Sequence, residues 1–414
     1  MGKQAFRFVD LFCGAGGATC GLLQALKSAG RKYEGFVVNH WNIAIQTHEA
    51  NHPEVVARCA AVEDVTPNEV FAVNPKEIDL LWASPTCTHF STALGGAPRS
   101  NQLRSQPEYV IPWLRMTNVK RVYIENVPEF MSWGPLLDVP ITYQGRRYEA
   151  DRPDPRFKGL FFEDWIRSVQ VSGYDVEWRV MNSADYGAPT SRKRLIVQMV
   201  RRNSGQKIIW PEPTHRFSWI PAEEILRLEL LGKSLIDREK PLSEKTMQRI
   251  KNGIRKFWGD WAPAFLCALE GGECEIPLSK LPKSFITRFN GGENRNHSIS
   301  EPLPVIDTSN RYGIVTPFLI KYYGNGQNIY PVSETLGTVT TRDRFGLVQG
   351  RVLTVGSERF RLDVLFRMLS PSELAAAMSF PVDYRFCGSQ SDIKRQIGNA
   401  VCPKLAEALL TAVL

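Results

Sequence analysis

Three sets of residues carry groups able to do chemistry. The first is Cys87, in the run Leu81-Trp82-Ala83-Ser84-Pro85-Thr86-Cys87-Thr88-His89-Phe90-Ser91. A thiolate is the strongest nucleophile a protein has at neutral pH, and it adds readily to electron-poor carbon. A lone cysteine is just as often a buried structural residue. The second is Glu125-Asn126, a carboxylate beside an amide, followed by Val127-Pro128. It suits proton donation to a substrate atom, or equally the capping of a following helix. The third is the triplet Arg192-Lys193-Arg194, where Arg192 and Arg194 fall on one face of an extended chain by its two-residue period. Two such guanidinium groups can hold a phosphate or a carbonyl, although solvated arginines are common.

The elements around them set where these groups stand. Ile78–Ala83 is a short apolar run closed by a turn signal, as expected of a buried strand, so Cys87 falls just past a strand's carboxyl end. Open α/β sheets place ligands and chemistry there. Val119–Ile124 reads as a second such strand ending in Glu125-Asn126, and Leu195–Val200 as a third beginning after Arg194. At the amino terminus, Phe6–Phe12 reads as a strand, Cys13-Gly14-Ala15-Gly16-Gly17 as a glycine-rich turn, and Ala18–Leu26 as a helix. That order opens a nucleotide-binding unit, because glycine lets the backbone approach a ligand at a helix amino terminus. The next strand, Gly35–Val38, runs into Asn39-His40-Trp41. His40 stands where a dinucleotide fold usually has an acid, and Trp41 could stack on an adenine or cap the sheet edge. Residues 141–158 look like a basic insertion loop, Phe161–Val171 a helix and Asp175–Asn182 a strand.

Composition narrows the class. The chain has 414 residues, 43% hydrophobic and 23% charged, enough for two domains with a substantial core. Its net charge of +8 favours a polyanionic partner. No apolar run approaches the ~18 residues of a membrane span, and the first residues lack the apolar core of a signal peptide. The eight cysteines are scattered, with no zinc spacing, so reduced thiols, an intracellular location and no metal are expected.

Beyond Arg201 the pattern changes. Lys240–Lys256 is basic, with Trp258 and Trp261 after it. An internal repeat with an offset of 33 residues then maps Phe285 onto Phe318, Ser300-Glu301 onto Ser333-Glu334, and Arg311-Tyr312-Gly313-Ile314-Val315 onto Arg344-Phe345-Gly346-Leu347-Val348. Each copy holds two strand-like runs, which predicts a duplicated β-rich module over residues 285–348. Its arginines and lysine, among them Arg288, Arg311, Lys321, Arg342 and Arg344, suit contacts to nucleic-acid backbone and base edges; solvated hairpin loops are the plainer alternative. Leu369–Met378 reads as a helix with Ser370 as cap, and Pro403 opens a closing helix after Gln396-Ile397-Gly398-Asn399-Ala400-Val401.

These stretches, in this order and across nearly the whole chain, resemble the DNA (cytosine-5)-methyltransferase family. Asp10–Gly17 resembles its S-adenosylmethionine motif, Ser84–Cys87 its nucleophile loop, and Glu125-Asn126-Val127 its Glu-Asn-Val motif. Tyr186–Arg194 is similar to its arginine motif, Arg367–Pro381 to its ninth motif and Gln396–Val401 to its tenth. The resemblance implies an α/β fold: a Rossmann-like S-adenosylmethionine-dependent domain over 1–200, completed by 385–414, and a smaller β-rich target-recognition domain over 201–384. It implies Cys87, Glu125, Asn126, Arg192 and Arg194 as catalytic residues. Asp10, Phe12, Gly14, Gly16, Gly17, His40, Trp41, Asp64, Val65, Pro85, Asn399, Ala400 and Val401 would hold the cofactor S-adenosyl-L-methionine. Thr88 and Ser91 would touch double-stranded DNA, in a loop closing over a flipped base. A monomeric, cytoplasmic, nucleoid-associated enzyme of bacterial or phage origin follows, of the kind found in restriction–modification.

The chemistry fits these residues. Cytosine C5 is a weak nucleophile until a thiolate adds to C6, and the charge pushed onto the ring must be neutralised at N3, where Glu125 could donate. Three positions depart from the family's pattern: Thr86 before Cys87, His40 in place of the ribose-binding acid, and Thr190-Ser191 in place of the Gln-Lys/Arg pair before Arg192. A tRNA-methylating relative is the nearest competing reading. A Rossmann oxidoreductase would leave Cys87, Glu125 and the arginines unexplained, and an inactive binding subunit would not need them.

Overall fold

The computed structural model describes residues 4–70, 77–85, 106–272, 275–277, 286–288, 296–297, 312–313, 317–322, 328–355 and 359–414. The chain divides into two compact units: unit 1 is Met1–Ile220, Gly337–Thr341 and Ala375–Leu414, and unit 2 is Pro221–Leu336 and Arg342–Leu374. Unit 1 thus runs about twenty residues past the expected boundary at 200, takes up its closing segment earlier than 385, and claims five residues from inside the repeat.

Unit 1 is built on one seven-stranded sheet. Its strands are β1 (Phe6–Leu11), β2 (Tyr33–Asn39), β3 (Val56–Cys59), β4 (Glu77–Ala83), β5 (Asn118–Asn126), β6 (Tyr174–Asn182) and β7 (Lys193–Arg201). The order across the sheet is β3-β2-β1-β4-β5-β7-β6. The first five run parallel, and β7 is antiparallel to both of its neighbours. The central strands are covered on both faces and read as continuous apolar runs for that reason: every residue of β1 is buried. Around them stand α1 (Gly17–Ser28), α2 (Asn42–Asn51), α3 (Val110–Met116) and α4 (Leu160–Val171). Trp113, Phe130, Trp133, Phe162 and Trp165 fill the core between the sheet and these helices. Residues 141–148, expected as a loop, form a short hairpin.

The carboxyl-terminal segment completes unit 1 by close backbone packing. A Cβ on Gly17 would lie 2.3 Å from the Val401 carbonyl oxygen, and one on Gly21 2.1 Å from that of Pro403. Glycine is required at both positions because backbone meets backbone there.

Unit 2 holds α5 (Glu244–Phe257), α6 (Ala262–Leu269) and α7 (Pro371–Ala377, which ends in unit 1), and unit 1 closes with α8 (Gln390–Asn399) and α9 (Pro403–Thr411). The basic stretch 240–256 is mostly the amphipathic α5. Its apolar side, Ile250 and Ile254, packs with Trp258, Trp261, Phe265 and Phe318 in a second core. The tryptophans after the basic run are therefore core residues. The tenth-motif stretch is helical through Asn399. Among the described residues no helix is long and apolar enough to cross a membrane.

The strands of unit 2 are β8 (Lys233–Ser234), β9 (Glu275–Pro277), β10 (Ile286–Arg288), β11 (Asn296–His297), β12 (Tyr312–Gly313), β13 (Phe318–Lys321), β14 (Ile329–Pro331), β15 (Phe345–Val355) and β16 (Arg359–Met368). They show what the repeat encodes. In one sheet β10 lies between β11 and β12; in the other β13 lies between β14 and β15. The pairs Ile286↔His297, Thr287↔Asn296, Thr287↔Gly313 and Arg288↔Tyr312 recur as Leu319↔Tyr330, Ile320↔Ile329, Ile320↔Gly346 and Lys321↔Phe345. Every described pair of the first copy reappears 33 residues later in the same register. Register in an antiparallel sheet follows which side chains face the core, so a duplicated pattern reproduces the pairing.

Candidate active site

The site residues of unit 1 gather along one edge of the sheet. Leu11 pairs with Val38 and Ala83, Ala83 with Ile124, and Glu125-Asn126 with Ile196-Leu195. The carboxyl ends of β1, β2, β4 and β5 and the amino end of β7 therefore lie side by side.

At the end of β1 the chain turns sharply. Phe12 takes a left-handed conformation (φ 59°), unusual for a residue with a side chain, and Gly14 (φ 54°) and Gly16 (φ 87°) follow in the same region. Among the described residues nothing lies within 4 Å of where a Gly14 Cβ would stand. From the other side Tyr384 holds it, its hydroxyl donating to the Ala15 carbonyl. His48 lies beneath, fully buried, and a Gly16 Cβ would come within 2.8 Å of its ring. Burial lowers the His48 imidazole to a pKa of about 3, helped by neighbouring His52, which keeps it neutral. Tyr384 and His48 were not legible as site residues, since neither lies in a chemistry-bearing motif.

Asp10 does not face this space. It is fully buried and accepts a hydrogen bond from Thr19 Oγ1 at 2.8 Å. Burial pushes its carboxyl up to about 7. It anchors α1 beneath the glycine loop, a correction to its expected place among the cofactor contacts: a side chain with no exposed surface cannot touch a ligand.

At the end of β2, Asn39 Oδ1 accepts the backbone N–H of Trp41 at 2.9 Å and orients that residue. His40 is exposed. Trp41 is half-buried, with the Arg395 guanidinium carbon 4.6 Å from its ring centroid, a cation–π contact. Val62–Asp64 forms a single 3-10 turn after β3, leaving Asp64 exposed and Val65 buried. Ala400 and Val401 are buried beside Gly17, and Asn399 is exposed. This cradle fits an S-adenosylmethionine in two respects: the glycine loop, with no described side chain against Gly14, and the half-exposed indole. It lacks a carboxylate at position 40 for the ribose.

At the end of β4, Pro85 is buried and its carbonyl accepts Asn126 Nδ2 at 3.2 Å, while Asn126 Oδ1 accepts the Val127 N–H at 2.8 Å. Asn126 is thus committed to the backbone on both sides and fixes the chain two residues before Cys87. Cys87, Thr86, Thr88 and Ser91 lie outside the described residues. Glu125 is buried, and Arg194 Nε stands 2.9 Å from its Oε1 in an ion pair whose side chains are 7% and 11% exposed. A pair so enclosed interacts far more strongly than one in water.

Arg192 has a different job from the one expected. It is 2% exposed, donating from Nη1 to the Val339 carbonyl at 3.1 Å and from Nη2 to the Ala400 carbonyl at 2.9 Å. Its guanidinium therefore holds backbone, not a substrate carbonyl. Arg194, two residues on, is the arginine that reaches Glu125.

Of the residues expected to touch DNA, Arg342 is exposed and Lys321 and Arg344 are half-buried. Arg344 Nη1 donates to the Tyr322 carbonyl at 3.3 Å. Arg311 and the side chain of Arg288 lie outside the described residues.

The sheet edge, with its glycine loop and Glu–Arg pair, can be set beside known proteins. The model of the C-5 cytosine-specific DNA methylase family matches residues 6–134 and 156–414. The chain belongs to that family. The chain is 24% identical over 431 residues to the type II methyltransferase M1.HphI of Haemophilus parahaemolyticus, covering 99% of this chain and 87% of that protein. It is 27% identical to the type II methyltransferase M.AgeI of Thalassovita gelatinovora, where the match spans 50% of this chain and only 42% of the relative. Among solved structures, a DNMT2 variant from Spodoptera frugiperda is similar in fold, with a TM-score of 0.52 at 16% identity, covering 99% of each chain.

Proposed function

We propose that this methylase transfers a methyl group from S-adenosyl-L-methionine to C5 of a cytosine flipped out of duplex DNA. The observation that carries the reading is the enclosed Glu125–Arg194 pair, at the sheet edge that also bears the glycine loop and the Asn126-held Pro85. In this reading the Cys87 thiolate adds to C6 of the base, forming a carbon–sulfur bond and enriching C5; once C5 is methylated, loss of its proton to water breaks that bond and frees the thiolate. Glu125, oriented by Arg194, donates to N3 as charge develops on the ring. Asn126 fixes the loop that carries Cys87. Phe12, Gly14, Gly16, Trp41, Asp64, Val65 and Val401 line the place for S-adenosylmethionine, which when bound supplies an electrophilic methyl group. His40 would meet the ribose hydroxyls through an imidazole nitrogen in place of the usual carboxylate. A base inside a duplex is out of reach, so extrusion is required. Thr88 and Ser91 belong to the loop proposed to close over it.

Unit 2 is proposed to read the target sequence, with Lys321, Arg342 and Arg344, together with Arg288 and Arg311, on backbone and base edges. A monomer in the bacterial cytoplasm, acting on the nucleoid, is the matching setting. The test is incubation of the protein with duplex DNA or tRNA and methyl-labelled S-adenosylmethionine. 5-Methylcytosine in the DNA is expected. Label only in tRNA, or in neither, refutes the reading.

A further inference from the structure

We propose that Gly337–Thr341 is a strap that positions the Glu125–Arg194 pair, with Thr190, Arg192 and Thr338 as the positioning residues that grip it. The proposal rests on the methyl-transfer reading above for its effect on turnover, but not for its structural content.

The strap is the five-residue segment of unit 1 whose neighbours on both sides, Leu336 and Arg342, belong to unit 2. It lies in a slot between two parts of unit 1. On one side Thr190 Oγ1 donates to the Gly337 carbonyl at 2.9 Å, Thr338 Oγ1 donates to the Ser191 carbonyl at 3.1 Å, and Arg192 donates to the Val339 carbonyl. On the other side the backbone of α8 presses against it: a Cβ on Gly398 would lie 2.4 Å from both the Thr340 carbonyl carbon and the Thr341 nitrogen. Thr190 is fully buried, and Val339 is 1% exposed. Arg192 closes the arrangement by bonding Ala400 just beyond α8.

What the strap fixes follows from the local backbone. Residues 188–192 precede β7 and lie outside it. Their backbone bonds are short-range turns, Thr190 N–H to Ala188 and Arg192 N–H to Thr190, with two bonds to Ser183, from Ala188 N–H to its carbonyl and from its N–H to the Arg192 carbonyl. The strap adds its three bonds to these. Arg194 leaves this segment two residues later, so the position of 190–192 sets where its guanidinium meets Glu125. Of the two residues that depart from the family's arginine motif, Thr190 bonds the strap through its side chain and Ser191 through its backbone carbonyl.

The decisive experiment uses the full-length protein with Thr190→Val and Thr338→Val combined, and Thr190→Ser with Thr338→Ser as the hydroxyl-retaining control. Measured are kcat on a genomic duplex DNA, the dissociation constants of S-adenosylmethionine and of DNA, and hydrogen exchange at the Arg194 Nε–H by NMR. The double valine variant should lose about tenfold in kcat and exchange the Arg194 proton about tenfold faster, with both dissociation constants within twofold of wild type. The serine control should restore both. Unchanged kcat with unchanged Arg194 exchange overturns the proposal, as does a loss accounted for by weaker cofactor or DNA binding. If wild type methylates nothing, the functional reading fails, and Arg194 exchange alone decides whether the strap positions the pair.

Discussion

Both units enclose an ion pair, Glu125–Arg194 in unit 1 and Arg367–Glu373 in unit 2, and they differ in what accompanies it. In unit 1 charged side chains are drawn inward: Glu125, Arg192, Arg194 and Asp10 are all buried, each held by a partner at a strand end. In unit 2 the duplicated trio of strands repeats its register pair for pair, and Arg342 beside it is exposed. A buried ion pair needs a framework that fixes both partners, because each charge has lost its water. A surface that reads a polyanion needs the reverse, charges free to meet phosphates and exchange their counterions.

Substitutions that bear on this contrast differ widely in expected size. Cys87→Ala should lower methyl transfer by at least about a thousandfold, since the proposed mechanism takes its nucleophile from Cys87. S-adenosylmethionine binding by calorimetry should persist, and residual transfer near the wild-type rate would remove the covalent mechanism. Arg194→Ala leaves the enclosed Glu125 without its cation. Denaturant unfolding should then show a loss of about 3 kcal/mol and turnover a loss of about a hundredfold. The equivalent change at Arg342 should leave stability within about 0.5 kcal/mol and reduce only the salt dependence of DNA binding. Equal effects at the two arginines would erase the distinction between the units.

Asp10 gives a pH signature. Its carboxyl is raised to about 7 by burial, from 3.8. The unfolded state therefore releases this proton first, and Asp10's contribution to stability, full below about pH 4, is lost as pH rises through 7. The histidines act in the opposite sense: His48 and His52, lowered to about 3 and about 4, favour the folded state increasingly as pH rises toward 6.5. Asp10→Asn keeps an acceptor for Thr19 and removes one of the two opposing slopes. The stability of wild type minus variant should fall by at most about 4 kcal/mol between pH 4 and 7. A flat difference would show that Asp10 does not titrate in that window. The smallest effect on the catalytic unit is expected from exchanging residues 285–336 for those of a relative with another target. The methylated sequences should change while stability and kcat hold. Extending the exchange through 341 replaces the strap and should reduce kcat as well.

Much of this protein is written locally in its sequence. The apolar runs of β1, β4 and β5 mark strands buried on both faces, the glycines after Phe12 mark a left-handed turn, and the 33-residue offset predicts a duplicated β-rich module. Burial of whole strands leaves a one-dimensional trace, and so does a turn that only glycine can take. The roles of single polar side chains leave none. Arg192 and Arg194 look equivalent in the sequence, yet one grips Val339 and Ala400 and the other meets Glu125. Asp10 has the place of a ligand contact and instead holds Thr19. Thr190 finds the Gly337 carbonyl 147 residues away. Periodicity fixes which face a residue takes, and it set the strand-end positions of Glu125 and the arginines. Which atom each side chain meets depends on backbone brought close by the fold alone, and that the tertiary structure decided.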